Sequence, residues 1–140
     1  MATIFTRIIN GELPGRFVWQ DEHAVGFLSI APIRPGHTLV VPRQEIDQWT
    51  DAPAELITHL TTVTQTIGQA VKEAWDAPRA ALIIAGFEVP HLHLHTFPVW
   101  GLDDFHFEKA DPNPDPAAMD EAAERIRATL EKNGYGAQAR

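Results

Sequence analysis

The chain has 140 residues, 44% of them hydrophobic and 21% charged, as in ordinary globular proteins, and we expect one domain over residues 1–140. Its formal net charge of −8 disfavours general nucleic-acid binding, which needs clustered lysine and arginine, and the absence of cysteine excludes disulfides and thiolate metal sites. No apolar run approaches the roughly 20 residues that span a bilayer, and the first residues lack the apolar core of an export signal, so we expect no membrane partner and a cytoplasmic location.

The first half of the chain predicts three short strands. Phe17–Gln20 and Ala24–Leu28 are β-prone runs on either side of a polar Asp-Glu-His sequence, which indicates a hairpin. A loop rich in proline over residues 31–36 leads into a third strand, His37–Val41, in which His37 shares a face with Leu39.

The second half predicts two helices and further strands. Apolar residues at helical spacing follow a start signal at Thr50–Pro53 and continue to about Trp75, so we expect a long central helix. Residues 80–85 form a continuous apolar run typical of an interior strand that is buried on both faces. Residues 98–115 are rich in loops, and a final helix runs over about residues 116–132, after which the tail is expected to fray.

The segment HLHLH at residues 91–95 carries three histidines in strict alternation. In an extended strand successive side chains point to opposite faces, so the three imidazoles project from one face and Leu92 and Leu94 anchor the other. Three imidazoles in a row predict a functional site rather than a half-buried strand whose histidines only satisfy nearby carbonyl groups.

Nucleophilic catalysis is one chemistry that such a row supports. A neutral imidazole, with an ordinary pKa of about 6.5, can attack an electrophile at neutral pH. A hydrogen bond from one ring nitrogen to a backbone carbonyl fixes the tautomer and directs the other nitrogen outward, while neighbouring imidazoles donate to charge that develops on a phosphoryl or acyl centre. We interpret His93, which has a histidine on each side, as the candidate nucleophile.

A metal site is the alternative chemistry. Zinc–nitrogen bonds are about 2.0–2.1 Å long, whereas the Cα atoms of His91 and His95 lie roughly 13–14 Å apart in a strand. One metal could therefore take two neighbouring histidines and would need a further ligand, such as His37 or Glu88.

Three segments, in order, resemble the histidine triad (HIT) superfamily. Residues 4–14 resemble its opening IFxxIIxGExP segment, residues 35–42 its PGHxLVxP strand, and residues 86–95 the triad signature itself. The resemblance implies an α+β fold: a five-stranded, mainly antiparallel sheet with a long central helix and a C-terminal helix. It also implies a homodimer.

The resemblance implies a nucleotide hydrolase or nucleotidyl transferase that acts at the α-phosphate of a phosphoramidate or a dinucleoside polyphosphate. His93 would attack phosphorus and form a covalent nucleotidyl-histidine, which water would then cleave. His95 would donate hydrogen bonds to phosphoryl oxygens, His91 would brace the nucleophile's segment, and His37 would complete the polar wall. The Val89 amide would approach the phosphate, and neither a metal nor another cofactor is required.

The resemblance also implies a purine pocket with apolar walls. Its matching positions here are Phe5, Ile8, Leu13, Phe27 and Leu28. Three positions depart from the family pattern: Ser29 replaces the usual ribose-binding aspartate, Phe87 replaces a glutamine, and Glu88 follows as a possible acid for the leaving group. Thr3, Thr6 and Glu45 stand where family members with structural zinc carry a CxxC pair and a histidine, so no structural zinc is expected.

Three functions therefore remain open. The first is the enzyme just described. The second is a non-catalytic module that binds a nucleotide, which the departures at Ser29 and Phe87 favour. The third is a metalloprotein that uses two triad histidines and His37.

Overall fold

A central antiparallel sheet with helices on both faces forms the protein, as seen in a computed structural model that describes residues 1–140. The helices are α1 (Ile4–Ile9), α2 (Ala54–Ala74) and α3 (Pro116–Lys132), and the strands are β1 (Phe17–Gln20), β2 (Ala24–Leu28), β3 (Thr38–Pro42), β4 (Arg79–Ala80), β5 (Leu94–Thr96) and β6 (Pro98–Val99). Neither α2 nor the shorter helices combine the length and apolar character that a membrane span requires. This arrangement confirms the expected α+β fold.

The sheet is smaller than the expected five strands. Four strands pair in the order β1-β2-β3-β5, all antiparallel, and β4 pairs with β6 as a separate two-stranded piece. The two pieces are joined by the chain between β5 and β6, which are one residue apart, and by a bridge between Ile83 and His95. A fifth strand therefore lies in the expected place, but it is interrupted rather than continuous.

The two faces of the sheet bury different side chains. Helices α2 and α3 cover one face through a core that includes Val40, Ile67 and Ile126. Helix α1 covers the other face, where Phe5 and Phe27 belong to a smaller apolar cluster. Alternation along β2 and β3 divides neighbouring residues between the two cores.

The prediction of an interior strand over residues 80–85 is wrong. Only Arg79–Ala80 is regular strand, and the Leu82 side chain is 52% exposed. The amides of Ala81 and Ile83 donate to Phe97 and His95, so this segment pairs along one edge only. An apolar run reveals hydrophobicity but not whether a partner strand lies on each side.

The predicted helices are present with small differences at their ends. Helix α3 has the predicted limits because the Asp115 side chain accepts a hydrogen bond from the Ala118 amide, with proline in the first turn. Helix α2 begins later than predicted: Thr50 lies in a short 3₁₀ turn, and Pro53 precedes the helix with no side-chain cap. The tail is not frayed, since the Gln138 carbonyl accepts from the Gln20 amide of β1.

Candidate active site

The three triad histidines lie on the α1 side of the sheet. Leu92 and Leu94 point into the opposite core with α2 and α3, so the alternation read from the sequence is present. Only His95 belongs to regular strand, because β5 begins at Leu94, and His91 and His93 come from the irregular segment before it. All three imidazoles are buried, with exposed fractions of 0%, 5% and 8% for His91, His93 and His95.

Backbone geometry fixes the tautomer of His93. Its Nδ1 lies 2.7 Å from the carbonyl oxygen of His91. A carbonyl can only accept, so Nδ1–H must donate, and the neutral ring carries its free lone pair on Nε2. The expected arrangement, one nitrogen anchored to the backbone and the other left free to react, is present.

A chain of two imidazoles fixes the tautomer of His95. The Ile33 amide donates to His37 Nδ1 at 3.0 Å, so a neutral His37 carries its proton on Nε2. That Nε2–H lies 2.9 Å from His95 Nδ1 and donates to it. His95 must then carry its own proton on Nε2 and acts as a hydrogen-bond donor there. His37 thus sets the polarity of His95 from behind it, instead of forming part of the pocket wall as expected.

The loop that carries Ile33 is held by an ion pair. Arg34 donates to Asp104 Oδ1 from Nε at 2.9 Å and from Nη2 at 2.6 Å, and its guanidinium stacks on the Trp100 ring. Asp104 is itself anchored, since its other carboxylate oxygen accepts from the Trp100 amide. The loop that begins the His37–His95 chain is therefore fixed to the loop-rich segment after β6.

Both nitrogens of His91 are engaged. Nε2–H donates to the Pro42 carbonyl at 2.8 Å, so Nδ1 accepts from the Thr3 hydroxyl at 2.6 Å. The Thr3 oxygen also accepts from the Thr6 amide and caps α1. Glu45 completes this cluster by accepting from the Thr3 amide and the Thr6 hydroxyl. His91 therefore ties the segment that carries His93 to the N-terminal helix.

A first cavity, of about 630 Å³, opens beside His93 and His95. Of the residues expected to bind a nucleotide, it is lined by Phe5, Ile8, Phe27, Leu28, Ser29, Glu88 and Val89. Leu13 lies outside this lining and packs against the apolar cluster that contains Phe5 and Phe27. His91 and His37 also lie outside the lining. His91 orients His93 through its carbonyl, and His37 orients His95 through its ring.

A charged pair that no sequence pattern predicts also belongs to this lining. Arg16 Nε donates to Asp120 Oδ1 at 2.7 Å, although 104 residues separate the two. Both line the first cavity with the apolar Ile30 and Leu39, which the sequence reasoning also missed. No local spacing could have indicated them, because the pair forms only when α3 packs beside β1.

A second cavity, of about 140 Å³, also reaches His93 and His95. Its remaining lining is Ala85, Gly86, Phe87, Glu88 and Phe107. Aromatic contacts show how the two cavities flank the imidazole pair: Phe5 of the first cavity packs on His93 at 4.9 Å, and Phe107 of the second packs on His95 at 5.1 Å. The His93 and His95 rings are 4.9 Å apart.

Burial keeps the imidazoles neutral. Loss of solvation, followed by the nearby histidines, lowers the pKa of His37 to about 3 and that of His95 to about 4. Burial also lowers the pKa of His93, against the opposing effects of the His91 carbonyl and the Glu88 charge. At neutral pH the site thus presents a lone pair on His93 Nε2 next to a proton on His95 Nε2.

Comparison with known proteins finds relatives over most of the chain. An uncharacterized HIT-like protein of Methanocaldococcus jannaschii is 38% identical over 99 residues, 68% of this chain and 77% of its own. An adenosine 5′-monophosphoramidase of Saccharomyces cerevisiae is 30% identical over 98 residues, 69% and 62% of the two chains. The crystal structure of a zinc-bound histidine triad family protein from Mycobacterium smegmatis superposes with a TM-score of 0.82 at 30% identity, covering 95% of this chain and 96% of that one.

The zinc named for that neighbour has no comparable set of ligands in this chain. The positions that resemble the cysteine and histidine ligands of zinc-containing members are occupied here by Thr3, Thr6 and Glu45. None of these side chains supplies a thiolate. Their oxygen atoms and His91 Nδ1 are already joined by hydrogen bonds to one another. No group of three or more histidine, aspartate or glutamate side chains in the chain is arranged around a metal position. The residues present therefore do not fit a structural zinc.

The family model for the HIT domain matches residues 10–100, which include His37 and the whole triad. This match, the relatives and the superposition agree with the fold. The chain belongs to the HIT family.

Proposed function

We propose that the protein is a nucleotide hydrolase that cleaves at the α-phosphate through a covalent nucleotidyl-His93, with a phosphoramidate or a dinucleoside polyphosphate as substrate. One observation carries the proposal: a fixed lone pair on His93 Nε2 adjoins a fixed donor on His95 Nε2 where two cavities meet. The phosphoramidase activity named for the yeast relative supports the same chemistry.

The proposed reaction has two displacements at phosphorus. In the first, the His93 Nε2 lone pair forms a bond to the α-phosphorus while the bond to the leaving group breaks, and the departing atom takes a proton. His95 Nε2–H donates to a phosphoryl oxygen on which charge accumulates. In the second, water attacks the phosphorus and gives up a proton to solvent, and the bond to Nε2 breaks with its electrons returning to the ring. A nucleoside monophosphate is released.

The first cavity is the proposed nucleoside site. Phe5, Ile8 and Phe27 provide the apolar surface that a flat purine requires. Ser29 Oγ accepts from the Ala31 amide at 3.2 Å, which leaves its hydroxyl hydrogen for one ribose oxygen. One neutral donor replaces the bidentate carboxylate usual in the family, so we expect weak discrimination between ribose and deoxyribose.

Turnover and adduct formation test the proposal together. Purified protein is incubated with adenosine 5′-phosphoramidate, and product is followed alongside a quenched, denatured sample in which covalent AMP is measured by mass spectrometry. We expect AMP release and an adduct on His93, both lost in His93→Ala. The matched control is His23→Ala, which removes an exposed histidine outside the cavities. Nucleotide binding without turnover across phosphoramidates and dinucleoside polyphosphates would instead support the non-catalytic module.

We also propose a single domain that acts as a homodimer in the cytoplasm, as the family resemblance implies. Light scattering on the purified chain measures the assembly directly. A mass of 15.6 kDa in solution would contradict the dimer.

A further inference from the structure

The second cavity has a lining unlike that of the first. Beside the imidazole pair, the opening is lined by two phenylalanine rings, two small residues and one carboxylate. These are Phe87 and Phe107, Ala85 and Gly86, and Glu88. The lining contains no lysine or arginine. Its volume, about 140 Å³, is close to that of cavities that hold a benzene-sized ring.

Phe87 is placed here by the backbone and not by a hydrophobic core. The preceding Gly86 has φ +79°, a left-handed conformation that suits glycine, and the Phe87 side chain is 97% exposed. Phe107 is 41% exposed even though it packs on His95. The Phe87 ring and the exposed part of the Phe107 ring are therefore available to contact a ligand.

The position of the second cavity beside His93 and His95 indicates which part of a substrate would enter it. Glu88, His93 and His95 line both cavities, so a phosphorus bound at the imidazoles lies where the cavities meet. The first cavity takes the nucleoside under the proposed function. The second is then left for the group that departs from phosphorus.

We propose that the second cavity is a leaving-group subsite that selects nucleoside 5′-phosphoramidates whose amine carries an aromatic ring. This inference rests on the proposed function. The ring packs between Phe87 and Phe107, and Glu88 faces the nitrogen side of the group. A leaving nucleoside polyphosphate fits poorly, because it carries several negative charges into a lining whose only charge is the Glu88 carboxylate.

The bond changes follow from the two-displacement reaction. His93 Nε2 bonds to phosphorus, the P–N bond breaks, and its electron pair stays on the amine nitrogen. That nitrogen takes a proton from solvent through Glu88, and the neutral arylalkylamine leaves by the second cavity. The nucleotidyl-histidine remains until water attacks it.

The test compares leaving groups within one nucleotide. The rate constant kcat/KM is measured for AMP phosphoramidates of 2-phenylethylamine and of methylamine, with wild type, Phe87→Ala, Phe107→Ala and Leu102→Ala. Leu102 is the control, since it is 85% exposed and lies outside both linings. We expect wild type and Leu102→Ala to prefer the aromatic amine about tenfold, and each phenylalanine variant to reduce that preference about three- to tenfold.

A binding measurement separates this inference from the proposed function. The 2-phenylethyl and methyl esters of AMP lack the P–N bond, so calorimetry gives their dissociation constants without that chemistry. If neither phosphoramidate is cleaved but Phe87→Ala abolishes a preference for the aromatic ester, the ring site stands and the proposed hydrolysis fails. Equal use of both amines by wild type overturns the subsite. A preference for the aromatic amine that survives both Phe87→Ala and Phe107→Ala also overturns the subsite. This holds even if Phe87→Ala changes the oligomeric state.

Discussion

Replacing Thr3 by valine removes one hydroxyl that serves two parts of the molecule. That oxygen accepts from the Thr6 amide at 3.1 Å as the cap of α1, and it donates to His91 Nδ1 at 2.6 Å. Losing such a cap costs about 1 kcal/mol. His91 is fully buried, so the unpaired Nδ1 adds about 1–3 kcal/mol. Since valine keeps the shape of threonine, no cavity forms, and the expected loss is about 2–4 kcal/mol.

Urea unfolding followed by tryptophan fluorescence measures this loss in Thr3→Val, and the midpoint should fall with the slope unchanged. At about 3–5 °C per kcal/mol for a chain of this size, Tm should fall by about 6–20 °C. Thr3→Ser is the matched control, because it keeps the hydroxyl and should stay within about 1 kcal/mol of wild type. If the valine variant is as stable as the serine variant, the hydroxyl does not bridge helix and triad as described.

Three further results are expected. His37→Phe should lower kcat for adenosine 5′-phosphoramidate about tenfold or more, with a smaller change in KM. The reason is that His95 loses the hydrogen bond that keeps its proton on Nε2. Equal kcat values for the variant and wild type would contradict this. Stability should be full above about pH 7 and fall by on the order of 6 kcal/mol towards pH 4. The unfolded chain takes up protons on His37 and His95 in this range, while burial lowers their folded pKa to about 3 and about 4. Urea midpoints across this range measure the decline, which should be shallower in His37→Phe. Gly36→Ala should destabilise the protein by about 2 kcal/mol or more, because Gly36 has φ +90° and an added Cβ would lie 2.7 Å from the Trp75 ring; an unchanged Tm would refute that contact.

Local patterns in the sequence predict the parts of the site that depend on neighbouring residues. Alternation in HLHLH was enough to place the imidazoles on one face and the leucines in the core. The limits of α3 followed from a capping Asp115 with proline after it, because both act within one turn. The carbonyl that orients His93 belongs to His91, only two residues away.

Contacts between distant segments could not be predicted in the same way. The Ile33 amide sets the tautomer of His37 through the conformation of a loop, and no side-chain pattern encodes that. Thr3 meets His91 across 88 residues, and Phe107 reaches His95 from a segment that has no regular spacing. The interrupted pairing of residues 79–83 likewise depends on which strand edges are free once the sheet has formed.

The chain of hydrogen bonds from Ile33 through His37 to His95 begins at a peptide group, which does not titrate over the physiological range. Its direction is therefore set by the position of the Ile33 peptide, which lines neither cavity. Withdrawing that amide would let both rings exchange donor for acceptor. Under the proposed function, the phosphate would then meet a lone pair on His95 Nε2 in place of a proton. A displacement of this one peptide would then stop the proposed hydrolysis while His93 stayed in place.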